Sequence, residues 1–439
     1  MAEVVPQAGI TRDIYDLLTG DEDARVCLDI PEAACREQPR NFLVHIASLV
    51  ATKSGDTLSS SKLVLSWLMT ALGAPHFMLG FLVPIRESLS LVPQLFVAAA
   101  IRRVGVRKWF WVAGSIVQGL AVMAMALIAL TLRGAPAGWS ILGMLVAFSL
   151  ARGVCSIAEK DVLGKTISKT RRGAVTGYAS CAAGAITVLV GLTALTIEPG
   201  KKGVALFVGM LLIAGALWIL AALVFSRLEE YSGATEGGGN AITEALRQMH
   251  LIREDKDLRR FLLVRTLLLS TALVAPFYVS LASQYSDGML TQFGAMLIAT
   301  GAASFLSAPA WGRMADRSSR QVMAAAALLA AIAGFLTAAL AQTPALPYPA
   351  LAFSATYFLL SIAHAGVRVG RKTHLIDIAT VENRASYVAV SNTFIGLMLI
   401  AGGVFGGIAS ILGPTAVILM LSATSLVAAG AAWRLEEAQ

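Results

Sequence analysis

Two carboxylates and a group of basic side chains stand inside long apolar runs of this chain. Lys53 and Asp56 are three residues apart, so a helix presents them on one face, with Ser60 one turn further along. Arg86 and Glu87 are neighbours and point about 100° apart on a helix, toward different partners. Arg86, Ser90 and Gln94 make a polar stripe at spacing four. Ser149, Arg152, Ser156 and Lys160 make a second stripe, and Tyr357, Ser361, His364, Arg368 and Lys372 a third; Arg265 lies in a further apolar run.

The chemistry open to such a set is ion pairing and proton exchange. An ionisable group at mid-bilayer costs at least ~2.5–3.5 kcal/mol, so each of these residues marks a functional site. A carboxylate beside an arginine stays ionised, and one left alone in an apolar medium holds its proton. A helix shift that makes or breaks an Asp56–Arg152 or Asp56–Lys53 pair therefore exchanges a proton, and Glu87 with Arg86 offers the same device. Lys53, Arg86, Arg152, Arg265 and Arg368 against Asp56 and Glu87 leave an excess of three positive charges, before His364 is counted. Surplus cations in a low-dielectric cavity favour an anion, because guanidinium forks match carboxylate and phosphate. Lys160 and Lys372 are expected to reach the headgroups instead. The chain has no phosphate-cradling G-x-x-x-x-G-K-[ST], no H-E-x-x-H and no Ser-His-Asp grouping. No enzyme, cofactor or metal is expected.

The elements that position these residues follow from composition. Of 439 residues, 56% are apolar and only 14% are charged, and the mean hydropathy is +0.71. Soluble domains carry about 25% charge, so a soluble enzyme is excluded. A bilayer core needs about 20 apolar residues per helix. Twelve such runs can be marked, near 41–72, 75–101, 108–132, 138–158, 173–195, 202–226, 259–284, 289–311, 320–342, 347–369, 384–410 and 412–434. Alternating segments of about 10 residues, as in a membrane barrel, do not occur. The fold class is all-α membrane, with the lipid bilayer as its solvent.

Residues 1–40 carry nine Asp/Glu against four Lys/Arg and no cleavable leader pattern, which predicts an acidic extension outside the bilayer. With the N-terminus placed inside, the inner loops hold 21 Lys/Arg and the outer loops three. Both termini are therefore expected in the cytoplasm, with the bacterial inner membrane as the location. The net charge of +8 reflects this topology rather than nucleic-acid binding. Cys27 and Cys35 then lie on the reducing side, so disulfides are not expected.

Between Arg227 and Leu258 the chain turns polar and Gly-rich, dividing six spans from six. At an offset of 212, Ser149 pairs with Ser361, Arg152 with His364, Ser156 with Arg368, Lys160 with Lys372, Arg172 with Arg384, and Lys53 with Arg265. The expected organisation is an extension (1–40), a six-helix bundle (41–227), a linker (228–258) and a second bundle (259–435). The loop Gly312-Arg313-Met314-Ala315-Asp316-Arg317-Ser318-Ser319-Arg320 matches the G-x-x-x-D-R-x-x-R signature of the major facilitator superfamily, which the chain resembles over about residues 41–435. The first-half loop keeps the basic tail of that signature, Arg102, Arg103, Arg107 and Lys108, but has Ala98 in place of the Gly and Arg102 in place of the Asp. Leu150-Ala151-Arg152-Gly153 resembles the Arg-bearing element of drug antiporters, whose span-five signature is absent from Gly177–Ile186.

The resemblance implies a monomeric secondary transporter working by alternating access, driven by protons through Asp56 and Glu87. Lys53, Arg86, Arg152, Arg265, His364 and Arg368 are the expected contacts for a small organic anion or acidic amphipath. Gly312, Asp316, Arg317 and Arg320, with Arg102 and Arg103, form the expected cytoplasmic gate, in which Asp316 pairs with its arginines. In the first half, an acid from residues 1–40 is expected to stand in for the missing Asp. The alternatives are an efflux antiporter for cationic or neutral compounds and, in another class, a non-transporting sensor or lipid scramblase.

Overall fold

The computed structural model describes residues 14–15, 17–18, 30–91, 101, 103–168, 170–196, 203–233, 251–285, 289–343, 348–379 and 384–437. Its helices are α1 (Glu32–Leu58), α2 (Val64–Ala71), α3 (His76–Leu91), α4 (Lys108–Thr131), α5 (Gly134–Thr166), α6 (Arg172–Thr196), α7 (Gly203–Ser226), α8 (Leu251–Glu254) and α9 (Lys256–Leu267). They continue with α10 (Ser270–Leu273), α11 (Ala275–Ala282), α12 (Met289–Ala315), α13 (Ser319–Leu340), α14 (Pro349–Asp377), α15 (Arg384–Ala401) and α16 (Val404–Trp433). No strand occurs among the described residues. Nine described helical stretches are long and apolar enough to cross a membrane, so the chain is a multi-pass, all-helical membrane protein. The stretch expected at 75–101 is helical as α3, and residues 92–100, including Gln94 and Ala98, lie outside the described set.

Two expected spans are broken in the middle. The run 41–72 starts earlier, at Glu32 behind Pro31, and stops at Leu58; α2 then resumes at Val64. Three successive serines, Ser59 to Ser61, occupy the gap. The Ser59 hydroxyl donates to the Gly55 carbonyl at 2.8 Å and the Ser66 hydroxyl to that of Ser61 at 2.9 Å, satisfying the backbone freed inside an apolar medium. The run 259–284 is likewise cut into α9, α10 and α11, where Ser270 and Thr271 donate to Leu267 and Leu268. Shifted by 212, the first gap falls on 271–275, which takes in the break at Val274 between α10 and α11. A third break, at Gly402–Gly403, separates α15 from α16, and Gly413 at φ +81° kinks α16 ahead of Pro414.

Residues 32–40, expected in the extension, thus belong to α1. The rest of the extension that is described folds back: Tyr15 meets Phe42 edge-on at 5.2 Å and accepts a hydrogen bond from Gln38, and Tyr178 donates to the Leu18 carbonyl. Cys35 is disulfide-bonded, against the expectation from compartment chemistry, which took no account of geometry. Cys27 lies outside the described residues, and Cys155 and Cys181 are free.

The helix ends that carry residues 32–40, 227–231 and 434–437 are called the linker end, and the opposite ends the far end. At the far end one apolar core joins the two halves of the chain, with Trp67, Met78 and Phe148 in the same cluster as Phe277, Phe293, Ile395 and Val417. There α3 crosses α16 at Gly80 and Gly406, where a Cβ on Gly80 would lie 2.4 Å from the Gly406 Cα. His76 and Ser280 share a hydrogen bond of 3.0 Å across the same end, and Phe207 meets Phe293 edge-on at 5.0 Å. Toward the linker end the apolar clusters separate. One holds only second-half residues around Phe261 and Met323, and two hold only first-half residues, around Trp111 and Phe42.

Candidate functional site

A cavity of about 680 Å³ occupies the middle of the molecule and extends toward the linker end, between helices of both halves. Lys53, Asp56, Arg86, Glu87, Arg152, His364 and Arg368, all singled out in the sequence, line this one cavity. Asp56 is its anchor. Its Oδ1 accepts from Arg86 Nη2 at 2.6 Å and from Arg152 Nη1 at 2.5 Å. Two guanidinium groups on one carboxylate oxygen leave a local surplus of one positive charge. Arg86 is held from behind by Phe148, whose ring centre is 4.0 Å from the guanidinium carbon, a cation–π contact. Of the two pairs expected for Asp56, the one with Arg152 forms, and the carboxylate turns to Arg86 rather than to Lys53 for its second cation.

The second cluster crosses between the halves. Lys62, in the break between α1 and α2, lies 3.6 Å from Glu87 and 2.9 Å from His364 Nε2. The ammonium has only protons to give, so Nε2 accepts. The ring proton then sits on Nδ1, which faces the Thr271 hydroxyl at 3.1 Å; that hydroxyl passes its own proton to the Leu268 carbonyl at 2.9 Å. Both helix breaks thus deliver a side chain to His364. Lys62 went unrecognised in the sequence because Lys53 and Asp56 drew attention one helix segment earlier; the signal was a lysine directly after three serines in an apolar run.

Arg265 is not in the cavity. It is 7% exposed and donates to the Ser391 hydroxyl and to Asn392 Oδ1 at 3.1 Å, because its face of α9 is turned toward α15. Lys62 replaces it in the charge balance. Lys53, Lys62, Arg86, Arg152 and Arg368 face Asp56 and Glu87, and the excess is again three positive charges.

The gate residues lie apart from the cavity. Asp316 and Arg317 are exposed just after α12, and Arg320 pairs not with Asp316 but with Glu437, donating also to the Leu435 carbonyl at 3.0 Å. A hydrogen bond from Ser318, with Arg320 alongside, holds the Glu437 carboxyl below its ordinary range. Gly312 receives the Asp316 amide at 3.0 Å, closing the turn. In the first half Arg102 lies outside the described residues and Arg103 is exposed. Of the acids of residues 1–40 expected there, Glu3, Asp13, Asp16, Asp21, Glu22, Asp23 and Asp29 lie outside the described residues, and the acids described at this loop come from α5 and from the segment after α7. Asp161 pairs with Arg107 and Lys165, and the buried Glu230 carboxylate accepts from the Arg107 and Lys108 amides at 2.9 and 2.6 Å and from Lys165 at 3.0 Å. An anion on two free amides at a helix start is where the helix dipole favours it.

Among the described residues no cluster of His, Cys, Asp and Glu is fit to hold a metal. The family model of the Major Facilitator Superfamily matches residues 261–439. No curated protein matches the chain. Among solved structures, a mutant form of the nucleoside transporter NupG is similar with a TM-score of 0.70 at 13% identity, covering 90% of this chain and 100% of that one. The inward-open xylose transporter XylE from E. coli gives 0.64 at 12%, covering 91% and 96%. A D-xylose-proton symporter gives 0.65 at 11%, covering 91% and 98%. At such identities the likeness is one of fold. The Major Facilitator Superfamily model thus matches the second half of the chain, and the fold of these solved transporters extends over nine-tenths of its length.

Proposed function

We propose that the protein carries a small organic anion across the membrane by alternating access, coupled to protons. The observation behind this reading is the cavity's balance of five cations against two carboxylates, with two of the cations gathered on Asp56. Protonating Asp56 weakens its hold on Arg86 and Arg152 and frees two guanidinium forks for an incoming carboxylate or phosphate. Proton and anion therefore bind together, and when the proton leaves, Asp56 reclaims its arginines and expels the anion. Glu87 plays the same part for Lys62, whose release from Glu87 and His364 loosens a link between the halves.

The accompanying topology is twelve spans in two six-helix bundles, 41–227 and 259–435, joined by the linker 228–258. The linker end and both termini are cytoplasmic, in a bacterial inner membrane, and the protein works as a monomer. In that orientation the apolar core that bridges the halves at the far end, and the separate clusters at the linker end, describe an inward-facing state. Arg107, Asp161, Lys165 and Glu230 in the first half, and Arg320 with Glu437 in the second, brace each bundle by itself in this state. Asp316, Arg317 and Arg103, exposed here, engage when the linker end closes.

The test is a thermal-shift screen of the purified protein at two pH values, with matched panels of organic anions, phosphate esters and lipophilic cations. A ligand of the folded state raises stability by RT ln(1 + [L]/Kd). Stabilisation by anions, stronger at the lower pH and altered in Asp56→Asn, is the expected result. Stabilisation by cations alone overturns it in favour of drug efflux.

A further inference from the structure

The polar cavity has an apolar neighbour. A groove of about 730 Å³ runs between α1, α6 and α7, and its outer rim is open, with Ile213 57% and Leu220 51% exposed. Ser54 and Thr193 are the hydroxyl-bearing residues among its described lining. Thr193 donates to the Val190 carbonyl, but Ser54 is 1% exposed and its hydroxyl has no partner among the described residues.

Groove and cavity share two walls. On α1, Asp56 and Thr57 line the cavity while Ser54 and Leu58 line the groove; on α6, Ala183 and Thr187 face the cavity while Ile186 and Val190 face the groove. The seam between them is closed by a side-chain hydrogen bond, from the Thr187 hydroxyl to that of Thr57 at 3.2 Å. Thr57 is the residue next to Asp56. A hydrocarbon space open to lipid therefore adjoins the point where Arg86 and Arg152 converge, with two threonine hydroxyls as the partition.

We propose that the transported anion is a single-chain fatty acid whose carboxylate is held by Arg86 and Arg152, and whose acyl tail passes the Thr57–Thr187 seam to lie in the groove between α1, α6 and α7. This rests on the anion-transport reading above. Charge complementarity argues for the occupant: an acidic head belongs beside the surplus cations and its tail belongs in hydrocarbon, and the two environments meet across a weak hydrogen bond. The unpartnered Ser54 hydroxyl stands at that passage, where a head group moving inward meets a donor.

The experiment is photolabelling in lipid nanodiscs with a long-chain fatty acid bearing a mid-chain diazirine, and with its methyl ester as the uncharged control. The acid is expected to label residues of α1, α6 and α7 around Val50, Ile186 and Met210, and the ester is not. Arg152→Gln lowers acid labelling about tenfold, the factor that loss of one charge-assisted hydrogen bond gives. Gly209→Leu fills the groove; a Cβ there meets nothing within 4 Å, so the fold accepts it, and labelling again falls about tenfold through overpacking against the tail. Equal labelling by the ester, the behaviour of an ordinary bilayer lipid, overturns the proposal, as does labelling unchanged in Gly209→Leu. Uptake of the short acid benzoate by the wild-type protein, lost in Arg152→Gln, then shows that the anion reading stands without the groove.

Discussion

Lys62 Nζ stands 2.9 Å from His364 Nε2, across 302 residues of sequence. It is a side-chain bond between the two halves inside the cavity; Lys62 comes from the gap after α1, and Thr271, which faces the other nitrogen of His364, comes from the short α10 that follows the break after α9. Unwound segments in transporters place side chains and bare backbone at a substrate site. Here they assemble a chain running Glu87, Lys62, His364, Thr271.

Lys62→Met removes the cation of that chain and leaves Glu87 without its nearest partner. Transport is expected to fall about tenfold or more, since bonds to charged groups contribute ~1.5–3 kcal/mol. His364→Gln, which still presents an acceptor to Lys62, retains more activity than His364→Ala. Proteoliposome uptake of the anion found by the thermal-shift screen compares the three variants.

Asp56→Asn leaves Arg86 and Arg152 facing each other without a shared anion. The site is partly open, with 23% of the Asp56 side chain exposed, so the loss is smaller than the ~3–5 kcal/mol of a fully buried pair. A drop of about 1–2 kcal/mol in stability is expected on that scale, read as a lower melting temperature. Uptake in this variant no longer responds to an imposed proton gradient, whereas exchange of anion for anion persists.

Gly406→Ala places a Cβ 2.1 Å from the Phe77 carbonyl oxygen, where backbone and not a flexible side chain must yield. The crossing of α3 and α16 is forced apart, which costs about 1–3 kcal/mol. Because this crossing seals the far end, the equilibrium shifts toward opening there. Ser280→Cys, at a residue 1% exposed, is expected to react with an impermeant maleimide faster when combined with Gly406→Ala.

Asp255 begins α9 by accepting from the Asp257 and Leu258 amides at 2.8 and 3.0 Å, and the Tyr387 hydroxyl donates to its other oxygen. Partial burial pushes the carboxyl up, but the hydrogen bonds from Tyr387 and the two amides outweigh it and hold it below its ordinary range. A depressed carboxyl contributes stability that is present above its unfolded pKa and lost as pH falls through the folded one. Acid melting curves should therefore steepen below about pH 4 and flatten there in Asp255→Asn. Asp255→Ala loses the cap itself, about 1 kcal/mol at neutral pH.

The membrane class, long apolar runs that recur as nine membrane-length helices among the described residues, and the seven charged or histidine residues that line the cavity were legible from the chain alone. The bilayer makes this possible: its thickness sets the length of each apolar run, and its interior makes every charge within such a run an exception with a reason. Partner choice was not legible in the same way. Asp56 takes Arg86 and Arg152 rather than Lys53, Arg265 turns to Ser391 and Asn392, and Glu230 places an anion at the start of α4. Each outcome depends on how a helix is rotated about its axis and where it is broken. Rotation is settled by packing against neighbours far away in sequence, as Phe148 does behind Arg86. The breaks at Ser59–Leu63 and around Ser270 interrupt runs whose composition reads as continuous helix, and only the tertiary structure brings Lys62 and Thr271 to the two nitrogens of His364.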